Sequence, residues 1–332
     1  MKTDVPATSF GDWAIRALER HYKKILKHEK KVLLDRDPEE LHQMRVGMRR
    51  LRTAMVGFSR AVVLPKGVNE KKIGAIARIL GQLRDNDVLQ ASLTQDYQSQ
   101  LPEKEQEYVQ SVLAHLQQQR QRAVQRTRKT LTHANYFALK DKLQQWLAAP
   151  QLTAIADLPI TTVLPDLLLP QFSQLLLHPG WLVGRSLSGA IPPSLETLAP
   201  EQETLLHDLR KTAKRTRYQM ELFTPFYRAD YQDLLDKIKA LQEILGALQD
   251  SCVLREMVKD HDRMHTPEPM PRFEDCLQHH RHQYWLEWLP LQSDFLDPDH
   301  RQQYRTLLQH CQALESIPSP ELIPANSGEN DG

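Results

Sequence analysis

Two short sequence patterns each occur twice in this chain, and the distance between the two patterns is the same in both copies. LHQMRVGMRRLR, which contains His42, is matched by LHDLRKTAKRTR, which contains His207. LGQLRDNDVL, which contains Gly81, is matched by LGALQDSCVL, which contains Gly246. Both matches have a displacement of 165 residues, from 42 to 207 and from 81 to 246. Because one offset relates two motifs, the repeat predicts two related halves that pack around a pseudo-twofold axis.

The apolar residues have helical spacing along nearly the whole chain, and no run of alternating β-branched residues suggests a strand. We therefore predict an all-α fold of two pseudo-symmetric helical-bundle halves. Asp37 and Pro38 mark one helix start, because Asp caps a helix and Pro suits its first position. The predicted helices cover residues 14–34, 39–63, 71–96, 103–148, 201–225, 231–262, 272–288 and 299–315.

A proline-rich stretch separates the two predicted halves. Eight prolines fall between residues 150 and 200, which predicts an irregular connection with short helical pieces. The first half then covers about residues 11–149 and the second half about residues 201–315. We expect residues 1–10 to be flexible and residues 316–332 to form a disordered tail, which is rich in Pro, Ser, Asn and Gly.

The overall charge excludes a protein that binds polyanions through bulk electrostatics alone. Lys and Arg number 43 against 42 Asp and Glu, so any anion site must come from local clustering. The three cysteines are scattered with no CxxC pair, which argues against a disulfide scaffold and fits a reducing compartment. Because there is no secretory signal and no apolar run of about eighteen residues, we predict a cytoplasmic protein that contacts no membrane.

The first histidine motif predicts a helix with a cationic face that is separate from its core face. A helix turns about 100° per residue, which places four cationic positions within about 80° of one another. These positions are His42, Arg45, Arg49 and Arg52. No acidic residue lies between Leu41 and Arg60. The predicted core stripe of the same helix consists of Met44, Met48, Leu51, Met55 and Phe58.

The second histidine motif has the same layout. Its cationic face consists of His207, Arg210, Lys214 and Arg217, and its core stripe consists of Leu206, Leu209, Ala213, Met220 and Phe223. Glu221 lies on the cationic face and could pair with Arg217 or Lys214. Arg50 and Arg215 lie on the other flank of their helices.

Like charges on one helix face cost tenths of a kcal/mol per pair, so their accumulation indicates an anionic partner. Arginine suits phosphate oxygens because its guanidinium donates two parallel hydrogen bonds and stays protonated. A row of such residues along a helix suits a row of phosphates. A solvated helix face is the alternative interpretation, which the duplication makes less favourable.

Other polar clusters favour structural interpretations. Arg120 to Lys129 form a third basic stretch that nothing repeats, and a solvated face is the preferred reading there. Asp85 and Asp250 could be catalytic carboxylates, but salt bridges to arginines are favoured. Gly81 and Gly246 are expected to permit close helix packing rather than to cradle phosphate. The histidines at 279, 280 and 282 are interpreted as surface residues.

Signatures of enzymes are absent from the sequence. It contains no Walker A, GxGxxG, HExxH or GxSxG motif, and no carboxylate cluster accompanies the arginines. Metal-assisted phosphate chemistry normally needs such a cluster to hold the ion. We therefore predict no catalytic residue, no metal and no cofactor.

At the two repeated motifs the sequence resembles the CHAD family, the conserved histidine α-helical domains. The resemblance implies two pseudo-symmetric four-helix units, a basic central groove or pore, binding of inorganic polyphosphate and association with polyphosphate granules. Many relatives carry a fused triphosphatase-like domain, and we expect this protein to be a stand-alone member without one. The polyphosphate-binding residues implied by motif position are His42, Arg45, Arg49, Arg50, Arg52, Arg84, His207, Arg210, Lys211, Lys214, Arg215 and Arg217. The second half differs from the first at Gln249, Cys252 and Thr216, which replace Arg84, Asp87 and Leu51.

Three other functions stay open at the level of sequence. A nucleic-acid-binding protein would use the same cations, although Tyr218 and Phe223 are the only aromatic residues within the signature motifs. An enzyme acting on phosphoanhydrides would depend on Asp85 or Asp250. An adaptor for acidic proteins would show no preference for phosphate chains.

Overall fold

The described part of the chain is built from α-helices, as the sequence predicts. The computed structural model describes residues 9–185, 198–264 and 270–312. Within these residues there is no β-strand, only two isolated β-bridges. The helices are α1 (Phe10–Leu34), α2 (Pro38–Gly57), α3 (Glu70–Ser92), α4 (Glu103–Leu131), α5 (Ala134–Ala148), α6 (Ile160–Leu176), α7 (Pro200–Glu221), α8 (Ala229–Met264), α9 (Pro271–Leu296) and α10 (Pro298–Gln309).

Flexible segments were predicted at both ends of the chain. Residues 1–8 of the first segment, and the whole predicted tail at 316–332, lie outside the described residues. Ser9 and Phe10 are described and begin α1, four residues earlier than predicted. The Ser9 hydroxyl accepts a hydrogen bond from the Asp12 amide at 3.0 Å, and the Phe10 side chain is only 1% exposed. A cap and a buried ring therefore extend the helix.

Two long predicted helices end earlier than their apolar patterns suggest. Helix α2 begins at Pro38 with Asp37 as its cap, as predicted, but it ends at Gly57 instead of continuing to Val63. The predicted helix over 103–148 is two helices, α4 and α5, separated at residues 132–133. The ring of His133 accepts a hydrogen bond from the Asn135 amide at 3.1 Å and so caps α5.

The proline-rich region contains a regular helix where an irregular connection was predicted. Pro165 and Pro170 both lie inside the 17-residue helix α6. An interior proline removes a backbone hydrogen bond and costs about 3 kcal/mol. Burial of apolar side chains offsets that cost, since Leu164, Leu168 and Phe172 are almost fully buried. Tertiary packing thus outweighs local propensity here.

The described residues form two compact units that are not continuous in sequence. The first unit contains residues 9–91 and 113–163. The second unit contains residues 92–112, 164–185, 198–264 and 270–312. The sequence prediction assigned 92–112 to the first half. These residues belong with the second unit because the Glu105 carboxylate accepts hydrogen bonds from the amides of Arg272 and Phe273, at 3.1 and 2.8 Å, and so caps α9.

In the first unit, α1 packs closely along α2. Gly47 permits the close approach, because a side-chain Cβ at this position would lie 3.1 Å from Cγ1 of Ile25. All five residues of the predicted core stripe of α2 are buried. The opposite side of the helix is thereby left to carry the cations.

In the second unit, three buried aromatic rings stack on one another. The Trp181 ring stacks on Trp288 and Phe295, with centroid distances of 5.4 and 4.8 Å. The predicted core stripe of α7 is also buried in full. The core faces of α2 and α7 are therefore confirmed.

Candidate anion-binding site

In the first unit, an arginine of α2 lies across the glycine of α3. Nη1 of Arg45 is 3.5 Å from the Gly81 carbonyl oxygen and 3.4 Å from Oδ1 of Asp85. A Cβ at Gly81 would lie 3.6 Å from Nη2 of the same guanidinium. The Arg45 side chain is 27% exposed, so the cation is held partly inside the protein yet stays accessible. The predicted salt bridge between Asp85 and an arginine is confirmed.

The second unit contains the same contact at the matching positions. A Cβ at Gly246 would lie 3.1 Å from Nη2 and 3.2 Å from Nε of Arg210. Both glycines were expected to permit close helix packing, and the group nearest to a Cβ at either position is a guanidinium. The absence of a side chain matters more at Gly246 than at Gly81. A contact of 3.1 Å is tighter than ordinary van der Waals distance, whereas 3.6 Å is an ordinary contact.

Two further arginines gather around Arg45 in the first unit. Burial lowers the pKa of Arg45, Asp85 raises it, and Arg49 and Arg84 lower it by repulsion. Arg49 and Arg84 are both half-buried. The structure thus brings together three of the predicted site residues from α2 and α3. His42 lies beside this group in sequence and is buried, with 6% of its surface exposed.

Arg52 continues the predicted row but has an acidic partner. Its Nε donates to Oε2 of Glu70 at 3.0 Å, and the side chain is exposed. A Cβ at Gly74 would lie 3.2 Å from this guanidinium. Arg52 is therefore a weaker candidate than Arg45 for contact with an anion.

The cations of the second unit have more neutral and acidic neighbours. Burial lowers the pKa of His207, and Lys211 and Arg210 lower it further, whereas Asp208 and a hydrogen bond with Gln249 raise it. Nζ of Lys211 is 2.9 Å from the Asp208 carboxylate. Lys214 is half-buried and Arg215 is exposed.

Arg217 was predicted to bind polyphosphate, but the structure places it in the core. Its side chain is 1% exposed and lies 3.4 Å from the Glu221 carboxylate. This ion pair is one of the two that were suggested for Glu221. The guanidinium also packs over the Tyr218 ring at 4.7 Å. The neighbouring Thr216 is buried as well, and its hydroxyl donates to the Thr212 carbonyl at 3.0 Å. Arg217 therefore does not form part of the accessible cationic face.

The third basic stretch braces the first unit. Arg120 of α4 donates to both oxygens of Asp35, at 2.9 and 2.8 Å, and to Asp87 at 2.7 Å. These hydrogen bonds raise the pKa of Arg120, and those with Asp35 have the largest effect on it. Arg128 donates to the Leu33 carbonyl at 3.1 Å. A structural role is thus established for these two residues, in place of the predicted solvated face.

An arginine that the sequence reasoning missed makes the corresponding brace in the second unit. Arg281 of α9 is buried and donates to the Ser251 hydroxyl and the Cys252 thiol, both at 2.9 Å, and to Glu203 at 3.0 Å. Cys252 occupies the position of Asp87 in the repeat. Arg281 and Arg120 are not separated by 165 residues, so the motif offset could not pair them. His279 and His282 beside Arg281 are exposed, as predicted, whereas His280 contacts the Tyr97 hydroxyl at 3.3 Å.

The structure also reveals cations on α1 that no motif indicated. Arg20, His21 and Lys24 lie close to Arg50 of α2. Burial, with repulsion from these neighbours, lowers the pKa of His21 to about 3 and that of Lys24 to about 8. The available signal was the four-residue spacing of Arg20 and Lys24, which places both on one side of α1.

Two further observations concern metals and membranes. Among the described residues, no group of three or more His, Cys, Asp or Glu side chains is arranged to hold a metal ion. One described stretch, Ile160–Leu182, is long and apolar enough to cross a membrane by length and composition, a test that the core helix of a soluble protein also passes.

Comparisons with known proteins agree with this architecture. The family model described as the CHAD domain matches residues 16–259. A search of curated proteins finds no match. The crystal structure of the CHAD domain from the plant Ricinus communis is similar, with 22% identity and a TM-score of 0.59, over 93% of this chain and 94% of that one. PptA from Streptomyces chartreusis is similar with 16% identity and a TM-score of 0.57, over 89% of this chain and 99% of that one. The two structures share the helical fold, and the family match covers most of this chain, which therefore belongs to the CHAD domain family.

Proposed function

We propose that this protein binds inorganic polyphosphate without catalysing a reaction on it. The supporting observation is the arginine that lies across a helix glycine in each unit, Arg45 over Gly81 and Arg210 over Gly246. The Arg45 guanidinium pairs with Asp85 and stays partly accessible, and Arg49 and Arg84 lie beside it. The family is associated with polyphosphate binding, which agrees with this chemistry.

The chemistry of the two faces suits a chain of phosphates. Each phosphate unit offers anionic oxygens that accept hydrogen bonds from a guanidinium or an ammonium group. In the first unit, Arg49 and Arg84 each lie close enough to Arg45 to lower its pKa by repulsion. Several closely spaced cations bind one chain of charges better than they bind scattered anions. The proposal includes the central groove that the family resemblance implies.

The aromatic residues favour polyphosphate over single-stranded nucleic acid. Tyr218 and Phe223, the aromatic residues of the signature motifs, are 3% and 0% exposed. Proteins that bind single strands without sequence preference use exposed rings on which bases stack. The arginine-rich faces of this protein therefore bind through charge, which a bare phosphate chain supplies at higher density than nucleic acid.

The proposed location in the cell follows from polyphosphate binding. A non-catalytic module that holds long phosphate chains would associate with polyphosphate granules in the cytoplasm. It would neither release phosphate nor need a metal ion, in contrast to a phosphoanhydride-processing enzyme.

The proposal is tested by titrating the full chain with long-chain polyphosphate at several salt concentrations. Counterion release makes the affinity fall steeply as salt rises, and the slope reports the number of phosphates contacted. Single-stranded DNA of equal total charge serves as competitor. A variant with Arg45, Arg49, Arg210 and Lys214 all changed to Ala serves as the control for the site. We expect tight binding that DNA does not displace and that this variant loses.

Two results would contradict the proposal. Equal displacement by DNA would indicate a nucleic-acid-binding protein. Metal-dependent release of phosphate that is abolished by Asp85→Asn or Asp250→Asn would indicate an enzyme.

A further inference from the structure

A second group of cations lies between α1 and α2 of the first unit. Arg20 and Lys24 on α1 repel Arg50 on α2, and Lys24 is also repelled by Arg49. The buried, neutral His21 lies beside them, and its pKa is lowered by Arg50, Arg20 and Lys24. Glu39 is an acid that acts in the opposite direction on Lys24. Arg50 lies on a different flank of α2 from the helix face that carries Arg45. The group therefore extends the cations of the candidate site onto α1, with Arg49 lying near both Arg45 and Lys24.

Packing between the two helices holds these like charges together. The helices approach closely at Gly47, where a Cβ would lie 3.4 Å from Cγ of Lys24. Further along, Glu40 of α2 pairs with His28 and Lys31 of α1, each at 2.6 Å. The apolar core and these ion pairs fix the helices, so the cluster forms in spite of its repulsion.

Two polar atoms in the cluster lack a hydrogen-bond partner among the described residues. Nε2 of His21 is one, and this side chain is only 2% exposed. Nη1 of Arg20 is the other. Buried polar atoms without partners are unfavourable, and natural proteins keep few of them unless a ligand, ion or water supplies the missing contact. An anion would supply hydrogen-bond acceptors and would neutralise the repulsion.

We propose that Arg20, Lys24 and Arg50 form a second phosphate-binding site on the first unit, which holds one end or one short segment of a phosphoanhydride chain. The proposal rests on the proposed function for the identity of the anion, whereas the cation cluster itself does not depend on it. The matching region of the second unit differs, because Arg215, the repeat partner of Arg50, lies near His178, whose pKa Asp208 raises. The site is accordingly specific to the first unit.

The test uses the full chain and tripolyphosphate as the probe, with Lys24→Gln as the main variant. Losing one charged hydrogen bond should weaken tripolyphosphate binding about tenfold. Removing a repelled charge should also raise the unfolding midpoint of the ligand-free protein, which a merely structural lysine would not do. Lys24→Arg keeps the charge and should retain binding. Lys27→Gln, which removes an exposed charge from the same helix, should leave tripolyphosphate binding within about twofold of wild type.

Each outcome separates this site from the proposed function. If Lys24→Gln binds tripolyphosphate as tightly as wild type, the second site is wrong even when long-chain polyphosphate still binds. If Lys27→Gln weakens binding as much as Lys24→Gln, only general charge is at work and the site is again wrong. If long-chain polyphosphate fails to bind but tripolyphosphate binding still depends on Lys24, the proposed function fails and the site stands. Titration with inorganic phosphate shows whether the site takes a phosphate chain or single phosphate ions. A chain-specific site binds tripolyphosphate at least tenfold more tightly than inorganic phosphate, and equal affinities would contradict the proposal.

Discussion

The first unit surrounds its repeated arginine with additional cations, whereas the second unit places neutral or acidic groups at several matching positions. Arg84 beside Arg45 becomes Gln249, which hydrogen-bonds His207. The exposed Arg52 becomes the buried Arg217, which pairs with Glu221. Both units nevertheless keep the contact between an arginine and a helix glycine. The comparison teaches that the repeated motif preserves one contact, while the surroundings determine how much positive charge each face presents.

Arg120 in the first unit also has more charged partners than Arg281, which braces the second unit. Removing these two side chains has the largest expected effect on stability. Arg120→Ala would strand two partly buried carboxylates, Asp35 and Asp87, and should cost about 4 kcal/mol of unfolding free energy. Arg281→Ala should cost only about 2 kcal/mol, because two of its partners are a hydroxyl and a thiol. Arg255 also lies 3.8 Å from the third partner, Glu203. Urea denaturation of both variants measures the difference.

Arg126→Ala, in an exposed position of α4, provides the control for this comparison and should change stability by less than about 0.5 kcal/mol. Equal losses for Arg120→Ala and Arg281→Ala would break the comparison, since they would mean that the charge on Asp87 has no consequence for stability.

A smaller effect concerns the pH dependence of the two units. His21 has a pKa of about 3 in the folded protein, against about 6.5 when unfolded. Between these values the unfolded state binds more protons, so stability falls as the pH is lowered from 6.5 towards 3. The loss attributable to His21 between pH 7 and pH 5 is about 2 kcal/mol. His21→Gln should lose less stability than wild type over that interval, measured by urea denaturation at both pH values.

His178 near Arg215 is the matched histidine for this measurement. Burial lowers its pKa, but Asp208 raises it in opposition, so His178→Gln should change the pH dependence less than His21→Gln does. An unchanged pH dependence in His21→Gln would mean that His21 is less buried, and less close to its cationic neighbours, than the structure indicates.

The sequence predicted the fold class, the core faces of α2 and α7 and most helices, because apolar periodicity is a local signal. It missed the break at His133, where a histidine ring rather than Gly or Pro ends the pattern. It also missed helix α6, in which buried apolar residues outweigh two prolines. At α6, contacts distant in sequence decide the conformation, whereas the break at His133 depends on a local cap by a residue type that seldom caps helices.

The site could be predicted in part for the same reason. The repeat identified Arg45 and Arg210, and the glycines opposite them, through a shared offset. It could not show that Arg217 turns into the core, nor that Arg281 braces the second unit, because neither fact follows from motif position. The cations of α1 have no motif, and only the packing of α1 on α2 brings them beside Arg50.

The central claim is that the two arginines held over glycines bind polyphosphate, and it is tested most directly by Arg45→Gln, Arg210→Gln and the double variant. Affinity for long-chain polyphosphate would be measured at one salt concentration, with circular dichroism to show that each variant is folded. We expect each single variant to weaken binding about tenfold, with the larger loss in Arg45→Gln, and the double variant to lose about a hundredfold. A folded double variant that binds polyphosphate as tightly as wild type would contradict the account.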